Sequence, residues 1–116
     1  MPNNGLVSVQ SRGSARETLS RLLATLAGRQ LTIFARVDHA AGAASMGGTA
    51  LMQDQQSAGI DLPLKALVWE DAGGKAWLTY SDPAWIAQRH GLGTASAATV
   101  KAMAALLSAI AQEATQ

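Results

Sequence analysis

Two short groups of residues have types and spacing that could support chemistry. In the first, Asp38 and His39 are adjacent, and a carboxylate that orients an imidazole can act as an acid–base pair near neutral pH. In a plainer interpretation, Asp38 caps a helix that begins at His39. We favour the cap because neighbouring residues at the end of a strand point apart. An enzyme that uses Asp38-His39 is therefore the third hypothesis, and no catalytic residue is assigned.

Asp61 is the centre of the second group. It precedes Leu62-Pro63, where an aspartate commonly stabilises a turn, but it could also serve as a base in a pocket beside His39. The first hypothesis for function is a small-molecule site between sheet and helices, without established catalysis. The residues expected to line that site are His39, Asp61, Lys65, Trp69 and Tyr80.

Aromatic side chains are scarce and clustered. The chain has one Phe, one Tyr and three Trp, against 24 alanines and 11 glycines. Four of the five aromatics lie between residues 69 and 85. They could form the bulky part of a core built otherwise from alanine, or a flat surface that stacks a ligand or anchors a partner. The second hypothesis is therefore a homo-oligomeric interaction module, a homodimer with Trp69 and Trp77 at its interface.

Metal and cofactor chemistry has little support in the sequence. There is no cysteine, which excludes thiol catalysis, disulfides and cysteine-ligated zinc or iron–sulfur sites. The two histidines, His39 and His90, lack the spacing of a metal motif with each other or with nearby aspartates. The glycine pairs at 47–48 and 73–74 lack the surroundings of a phosphate-binding loop. We expect no metal and no cofactor.

Charge and hydropathy limit the partners. The net charge is +1, from nine basic and eight acidic residues scattered along the chain, so we expect no nucleic-acid partner. The longest strongly apolar stretch without a charge, residues 102–112, is much shorter than the roughly 20 residues that span a bilayer. The first residues also lack the pattern of a signal peptide. These observations predict a cytoplasmic protein without a membrane segment.

The apolar pattern predicts one α+β domain over the 116 residues, a small sheet with helices packed on one face. Ser14 and Glu17 form a capping box before a helix that Gly28 ends, and Asp82-Pro83 starts another helix, which ends at His90-Gly91. Predicted strands cover residues 6–11, 31–37, 64–70 and 75–80, and predicted helical segments cover 14–28, 39–46, 50–57, 82–90 and 94–115.

Residues 71–74 join the strands 64–70 and 75–80 as a hairpin. A three-residue loop with Gly73 in the left-handed conformation would place Trp69 and Trp77 on one face of the sheet. A four-residue loop would separate the two indoles. The sequence leaves both registers open.

Three stretches carry a family resemblance. They are Phe34-Ala35-Arg36-Val37-Asp38-His39-Ala40-Ala41-Gly42-Ala43, Gly59-Ile60-Asp61-Leu62-Pro63-Leu64-Lys65-Ala66-Leu67-Val68-Trp69-Glu70-Asp71 and Trp77-Leu78-Thr79-Tyr80-Ser81-Asp82-Pro83. In this order the chain resembles the bacterial domain of unknown function 302, over about residues 6–110. The resemblance implies a strand–helix–four strands–helix order, with mostly antiparallel strands and a TATA-binding-protein-like outline. It implies no activity and no DNA binding, because a fold does not carry function.

The chain departs from the family pattern after Met46, where members usually have a further strand. Either the protein has lost that strand, or a segment is missing from the sequence as given because it is mobile or was removed. A true loss would join the strands 31–37 and 64–70 by a helical crossover, as a parallel pair. We favour a missing segment, because losing a central strand would leave both neighbours without backbone partners. A measured mass of 12.0 kDa would contradict that preference.

Overall fold

Five antiparallel strands form one sheet, and two helices pack across one of its faces. The computed structural model describes residues 4–31, 36–37, 43–46, 61 and 64–116. The strands are β1 (Leu6–Gln10), β2 (Arg36–Val37), β3 (Ala43–Met46), β4 (Leu64–Glu70) and β5 (Ala76–Ser81). The helices are α1 (Ala15–Gly28), α2 (Pro83–His90) and α3 (Thr94–Thr115). This confirms the predicted α+β class, and four strands follow α1 as the family resemblance implied.

The strand order across the sheet is β1-β5-β4-β3-β2, so the first strand in the chain lies at one edge. β3 pairs with β4 from Ala43 opposite Leu67 to Met46 opposite Leu64, and it also pairs with β2. The predicted helical turn over 39–46 is therefore wrong for Ala43–Met46. The parallel pair of 31–37 with 64–70, which a true loss of the strand would have allowed, is not formed by the described residues, because β3 lies between β2 and β4. Alanine is the strongest helix former, but helix propensity is small per residue and tertiary context overrides it. The backbone N–H and C=O groups of β4 require a partner, which Ala43–Met46 supplies.

The strand alternation divides the sheet into two faces. We call the side that α1 and α3 pack against the covered face. Its buried side chains on β4 and β5 are Leu64, Val68, Ala76, Leu78 and Tyr80. We call the other side the open face, because no helix of the described residues packs on it. Its side chains on β1, β4 and β5 are Leu6, Ser8, Gln10, Lys65, Leu67, Trp69, Trp77, Thr79 and Ser81.

The helix ends largely follow the predicted signals. Ser14 Oγ accepts a hydrogen bond from the Glu17 N–H at 3.1 Å, and Glu17 Oε1 accepts one from the Ser14 N–H at 3.3 Å, which confirms the capping box. Gly28 is the last residue of α1, but the left-handed residue beyond it is Gln30, with φ of 58°. Glycine was therefore not needed for the left-handed turn after α1.

The two later helices begin and end as predicted. Asp82 Oδ1 accepts a hydrogen bond from the Ala84 N–H at 3.0 Å at the start of α2. Gly91 ends that helix with φ of 64°, a conformation that glycine adopts without steric cost. α3 begins at Thr94, and its cap residue Gly93 provides no side-chain hydrogen bond.

α3 is the helix of the described residues that is long and apolar enough to cross a membrane by length and composition, with a mean hydropathy of 1.4. This is a weak indication, since core helices pass the same test. One side of α3 packs against α1 and the sheet. Its buried apolar residues are Val100, Leu107, Ile110, Ala111 and Ala114. The core of the domain thus uses one side of α3, and 22% of its apolar window is buried.

Candidate functional site

The open face carries a pair of stacked tryptophans. Trp69 on β4 and Trp77 on β5 lie directly opposite each other in the antiparallel register. Their ring centroids are 6.0 Å apart and their planes differ by 18°, which is an offset-stacked arrangement. Both side chains are half-buried, so each ring presents part of its surface to the outside.

The hairpin register explains why the two indoles meet. Asp71 donates its backbone N–H to the Lys75 carbonyl at 2.8 Å, and Gly74, not Gly73, is left-handed with φ of 80°. Trp69 therefore pairs with Trp77. The three-residue loop would have placed Lys75 opposite Trp69, and the four-residue loop would have placed Ala76 there. Both indoles lie on one face, as the three-residue alternative would have placed them, but Trp69 has a different partner from the one that either alternative gave it.

Asp71 holds the end of the hairpin beside Trp77. Its Oδ1 accepts hydrogen bonds from the backbone N–H groups of Gly73 and Lys75, both at 2.9 Å. Its Oδ2 accepts one from Trp77 Nε1 at 2.8 Å. The Trp77 indole N–H is the main reason why the pKa of the Asp71 carboxyl is lowered from its ordinary value of 3.8. The carboxylate thus stays ionised and fixes one edge of the Trp77 ring.

Thr79 holds the other indole. Its Oγ1 accepts a hydrogen bond from Trp69 Nε1 at 2.8 Å and lies 2.8 Å from Ser8 Oγ on β1. Both indole N–H groups of the pair are therefore satisfied within the domain. The exposed parts of Trp69 and Trp77 offer flat apolar surface without an unmet donor.

Two leucines extend this apolar surface. Leu6 on β1 is 53% exposed and Leu67 on β4 is 38% exposed, and both point to the open face. Lys65 lies on the same side of β4 and is also exposed. The open face thus carries two half-buried tryptophans and two exposed leucines.

The space between the sheet and the helices is filled by side chains. The cavity there has a volume of about 10 Å³. Its lining residues are Leu22, Leu26, Ala66, Leu78, Tyr80, Leu107, Ile110 and Ala111. Such a volume holds one water molecule at most, so a small organic ligand would have no room in it.

A second cluster joins Asp61 to the last turn of α2. Asp61 Oδ2 lies 2.5 Å from His90 Nε2, and Arg89 Nη1 donates to the same carboxylate at 3.0 and 3.2 Å. The Arg89 guanidinium also lies 5.5 Å from the ring centroid of Trp85. Because the side chain of His90 is 6% exposed, its imidazole is poorly placed to exchange protons with a substrate. We interpret this cluster as an anchor between residue 61 and α2.

The structure does not bring the predicted ligand-site residues together. Lys65 and Trp69 point to the open face, whereas Tyr80 is 7% exposed on the covered face. Asp61 pairs with Arg89 and His90 instead of lining a cavity with them. The predicted convergence is therefore wrong for these four residues, because strand alternation places Trp69 and Tyr80 on opposite sides. Whether any of them binds a ligand stays a prediction.

The remaining predicted candidates fall partly outside the described residues. His39 and Asp38 lie outside them, as does the predicted helix over 50–57. His90 lies at the end of α2 as predicted from its neighbour Gly91, but its contact with Asp61 was missed. Nothing in the linear sequence links residues 61 and 90. Among the residues that the structure describes, no group of three or more His, Asp or Glu side chains could hold a metal ion.

The fold and the site define a class: a small α+β domain with one helix-covered sheet face and one open face that carries aromatic residues. A family model described as "Domain of unknown function DUF302" matches residues 47–110, more than half of the chain. The chain belongs to this DUF302 family, which confirms the resemblance stated from its motifs.

A solved structure supports the fold. The crystal structure of an uncharacterized conserved DUF302 protein from Bacillus stearothermophilus superposes with a TM-score of 0.81 over 97% of this chain and 99% of that chain. The two sequences are 12% identical, so the likeness concerns the fold alone.

Curated relatives carry a different name. Two proteins called fluoride-specific ion channel FluC 1, from Brucella suis and Brucella abortus, are each 46% identical to this chain over 117 residues. The match takes in 87% of this chain but 46% and 43% of the relatives, so the chain spans less than half of their length. An alignment of 117 positions that uses 87% of a 116-residue chain also means that the relatives contain residues without a counterpart here.

Proposed function

We propose that this DUF302 domain is a protein-binding module that acts through the open face of its sheet, with a second copy of the chain as its partner. The observation that carries the proposal is the stacked Trp69–Trp77 pair on a sheet face that no described helix covers. Tryptophan is among the residues that most often supply the central anchors of protein interfaces.

The shape and polarity of the surface favour a protein partner over a small molecule. Small ligands bind in concave pockets that enclose most of their surface, whereas the cavity beneath the sheet is about 10 Å³. The indole N–H groups of Trp69 and Trp77 are already bonded to Thr79 and Asp71. Covering this face with another apolar surface therefore leaves neither indole donor unpaired.

Association of the purified chain tests the proposal. We expect sedimentation equilibrium over a wide concentration range to show a reversible dimer. Trp69→Ala should raise the dissociation constant at least ten-fold, and Leu67→Ser, which leaves the tryptophan pair in place, should raise it less. Gln112→Ala, at an exposed position on α3, is the matched control and should leave it unchanged.

Two results would refute the proposal. One is a wild-type chain that stays monomeric up to millimolar concentration. The other is a dimer that Trp69→Ala and Leu67→Ser leave equally tight, provided that circular dichroism shows both variants to be folded.

A second candidate rests on the Brucella relatives. We propose that, if the chain works with a fluoride channel, it does so as a domain outside the pore. The observation that favours this role is 46% identity to part of proteins named as fluoride channels, together with the burial of Val100, Leu107 and Ile110 of α3 in the core of this domain. Extracting α3 into a bilayer would remove these side chains from their partners.

Vesicles test this second candidate. The purified chain mixed with lipid vesicles should stay in the supernatant after centrifugation, and a fluoride electrode should detect no fluoride release above that from empty vesicles. Fluoride release by the chain alone would contradict a role outside the pore.

A further inference from the structure

We propose that two copies of the chain pair by the outer edge of β1, antiparallel and about a two-fold axis at Ser8, so that their two sheets join into one. This contact goes beyond the proposed function, because it uses the edge of the sheet and leaves the open face uncovered. It follows from which backbone groups of β1 are already bonded and from the side chains beside them.

The hydrogen bonds that flank β1 show which of its residues turn toward β5. The Asp82 N–H donates to the Gly5 carbonyl at 2.9 Å, and the Ser11 N–H donates to the Ala76 carbonyl at 2.8 Å. Bonding residues alternate along an antiparallel strand. The odd-numbered residues of β1 therefore bond to β5, and the even-numbered ones direct their N–H and C=O groups away from it.

The three even-numbered residues of β1 are Leu6, Ser8 and Gln10. Asn4 Oδ1 accepts a hydrogen bond from the Leu6 N–H at 3.2 Å. The backbone groups of Ser8 and Gln10 have no partner among the residues that the structure describes, since β1 is an edge strand of the described sheet. A row of unpaired N–H and C=O groups at a sheet edge is a template for one further strand.

Nothing in β1 blocks such pairing. Proteins usually protect an edge strand with charged residues, prolines or bulges. Residues 6–10 include no charged residue, no proline and no glycine, and they pair with β5 in an unbroken register. The outer side of β1 is therefore regular and uncharged, which suits the addition of a strand of the same kind.

A second β1 fits this edge in one register better than in others. An antiparallel pair centred on Ser8 places Ser8 opposite Ser8 of the partner subunit, and Leu6 opposite the partner's Gln10. Every outward residue of each strand then faces an outward residue of the other, and each Gln10 N–H meets the partner's Leu6 carbonyl. Centring the pair on Val7 or Val9 would leave one outward residue of each strand unpaired.

The side chains favour the same register. Val7 and Val9 are half-buried and pack against the core on the covered face. With the axis at Ser8, Val7 lies opposite the partner's Val9 in a non-hydrogen-bonded pair, where side chains approach closely. Each valine thus gains an apolar neighbour. The charged residue that follows the strand, Arg12, would lie opposite the partner's Asn4, so no like charges meet. These contacts identify a second copy of β1 as the partner strand.

Single cysteines test the pairing, because the chain has none of its own. Opposite residues of a hydrogen-bonded pair have Cα atoms about 5.5 Å apart, within reach of a disulfide. Ser8→Cys should therefore give disulfide-linked dimers under mild oxidation. Gln10→Cys, also exposed on this edge, is the matched control. Its Cα would lie about 14 Å from that of the same residue in the partner, so it should cross-link at least ten-fold more slowly. Equal rates would overturn the pairing.

A mixture of two variants tests the register. Leu6→Cys and Gln10→Cys should each cross-link slowly alone, because neither cysteine faces its own copy. An equimolar mixture should give the disulfide between the two different chains, which mass spectrometry distinguishes from the two homodimers. A mixture that gives all three dimers in statistical proportion would overturn the register centred on Ser8.

Trp69→Ala separates this inference from the proposed function, since Trp69 lies on β4 and not at the edge of β1. Cross-linking of Ser8→Cys should persist when Trp69→Ala is added. Loss of cross-linking in a folded double variant would mean that the copies meet by their open faces, and edge pairing would be wrong. Leu67→Ser replaces Trp69→Ala if circular dichroism shows that the double variant is unfolded. Persistent cross-linking, with an association of the cysteine-free chain that Trp69→Ala leaves unchanged, would support edge pairing and refute the proposed function.

Discussion

The two faces of the sheet are built by the same strands and differ in what lies against them. Along β5, Leu78 and Tyr80 enter the covered core, whereas the neighbouring Trp77 and Thr79 lie on the open face. The covered face is held by close apolar packing with α1 and α3. The open face is held by hydrogen bonds between its own side chains, with Thr79 and Asp71 as acceptors.

This difference separates stability from binding. A face whose apolar groups are already enclosed contributes chiefly to the free energy of unfolding. The open face has satisfied indole N–H groups but partly exposed rings. Covering those rings with a partner can therefore contribute more free energy to binding than the face contributes to the stability of the isolated domain. Substitutions on the two faces should therefore have different effects, and the following experiments test that expectation.

The largest effect is expected on the covered face. Leu78→Ala should lower the free energy of unfolding by about 2–5 kcal/mol, because Leu78 is 1% exposed and its removal leaves a cavity. The matched change on the open face, Leu67→Ala, should lower it by less than about 1 kcal/mol, since Leu67 is 38% exposed. Urea unfolding at low protein concentration measures both. Equal losses would refute the distinction between the faces.

An intermediate effect is expected where the open face is held by hydrogen bonds. Thr79→Val keeps the shape of the side chain but removes the oxygen that accepts the indole N–H of Trp69, and should cost about 1–3 kcal/mol. Ser8→Ala removes only the other hydroxyl partner of Thr79 and should cost less than about 1 kcal/mol. Urea unfolding, followed by tryptophan fluorescence, measures the loss of unfolding free energy in both variants. A smaller loss for Thr79→Val than for Ser8→Ala would show that this indole bond does not stabilise the face.

The smallest effect concerns the pH dependence of the hairpin. The pKa of Asp71 is lowered chiefly by the Trp77 N–H, so the folded state favours the ionised carboxylate. Its stabilisation is therefore full above the ordinary value of 3.8 and is lost as the pH falls through the lower folded value. The urea midpoints of wild type and Asp71→Asn should differ most at a pH well above 3.8 and converge as the pH falls through the lowered pKa of Asp71. A difference that grows at low pH would contradict this sign.

The sequence predicted those elements whose signals are local. The capping box of Ser14 and Glu17, the Asp82-Pro83 helix start and the Gly91 helix end depend on neighbouring residues, and all are present. β3 was missed because its strand state depends on pairing with β4, about twenty residues later in the chain. Alanine prefers a helix, but this preference is small per residue, so pairing with β4 decides the conformation of the segment.

The candidate site was predicted less well for a related reason. Their closeness in sequence grouped Trp69 and Tyr80 as one aromatic cluster. The face to which each residue points depends on the strand register and on the alternation of side chains along each strand. The contact of Asp61 with His90 joins two segments whose approach the sequence does not encode locally. The hairpin loop decides whether Trp69 and Trp77 share a face, and the sequence left two loops open; the observed register places both indoles on the open face.

The position of β1 has a consequence for how the chain becomes structured during synthesis. β1 lies at the edge of the sheet and pairs with β5 from Leu6 opposite Ser81 to Gln10 opposite Trp77. At about 5–20 residues per second, the ribosome needs roughly 4–14 s to supply that partner after β1 has emerged. Throughout this interval β1 lacks the strand with which it pairs in the sheet. Closing the sheet is therefore a late, long-range step, of the kind that slows folding relative to local contacts.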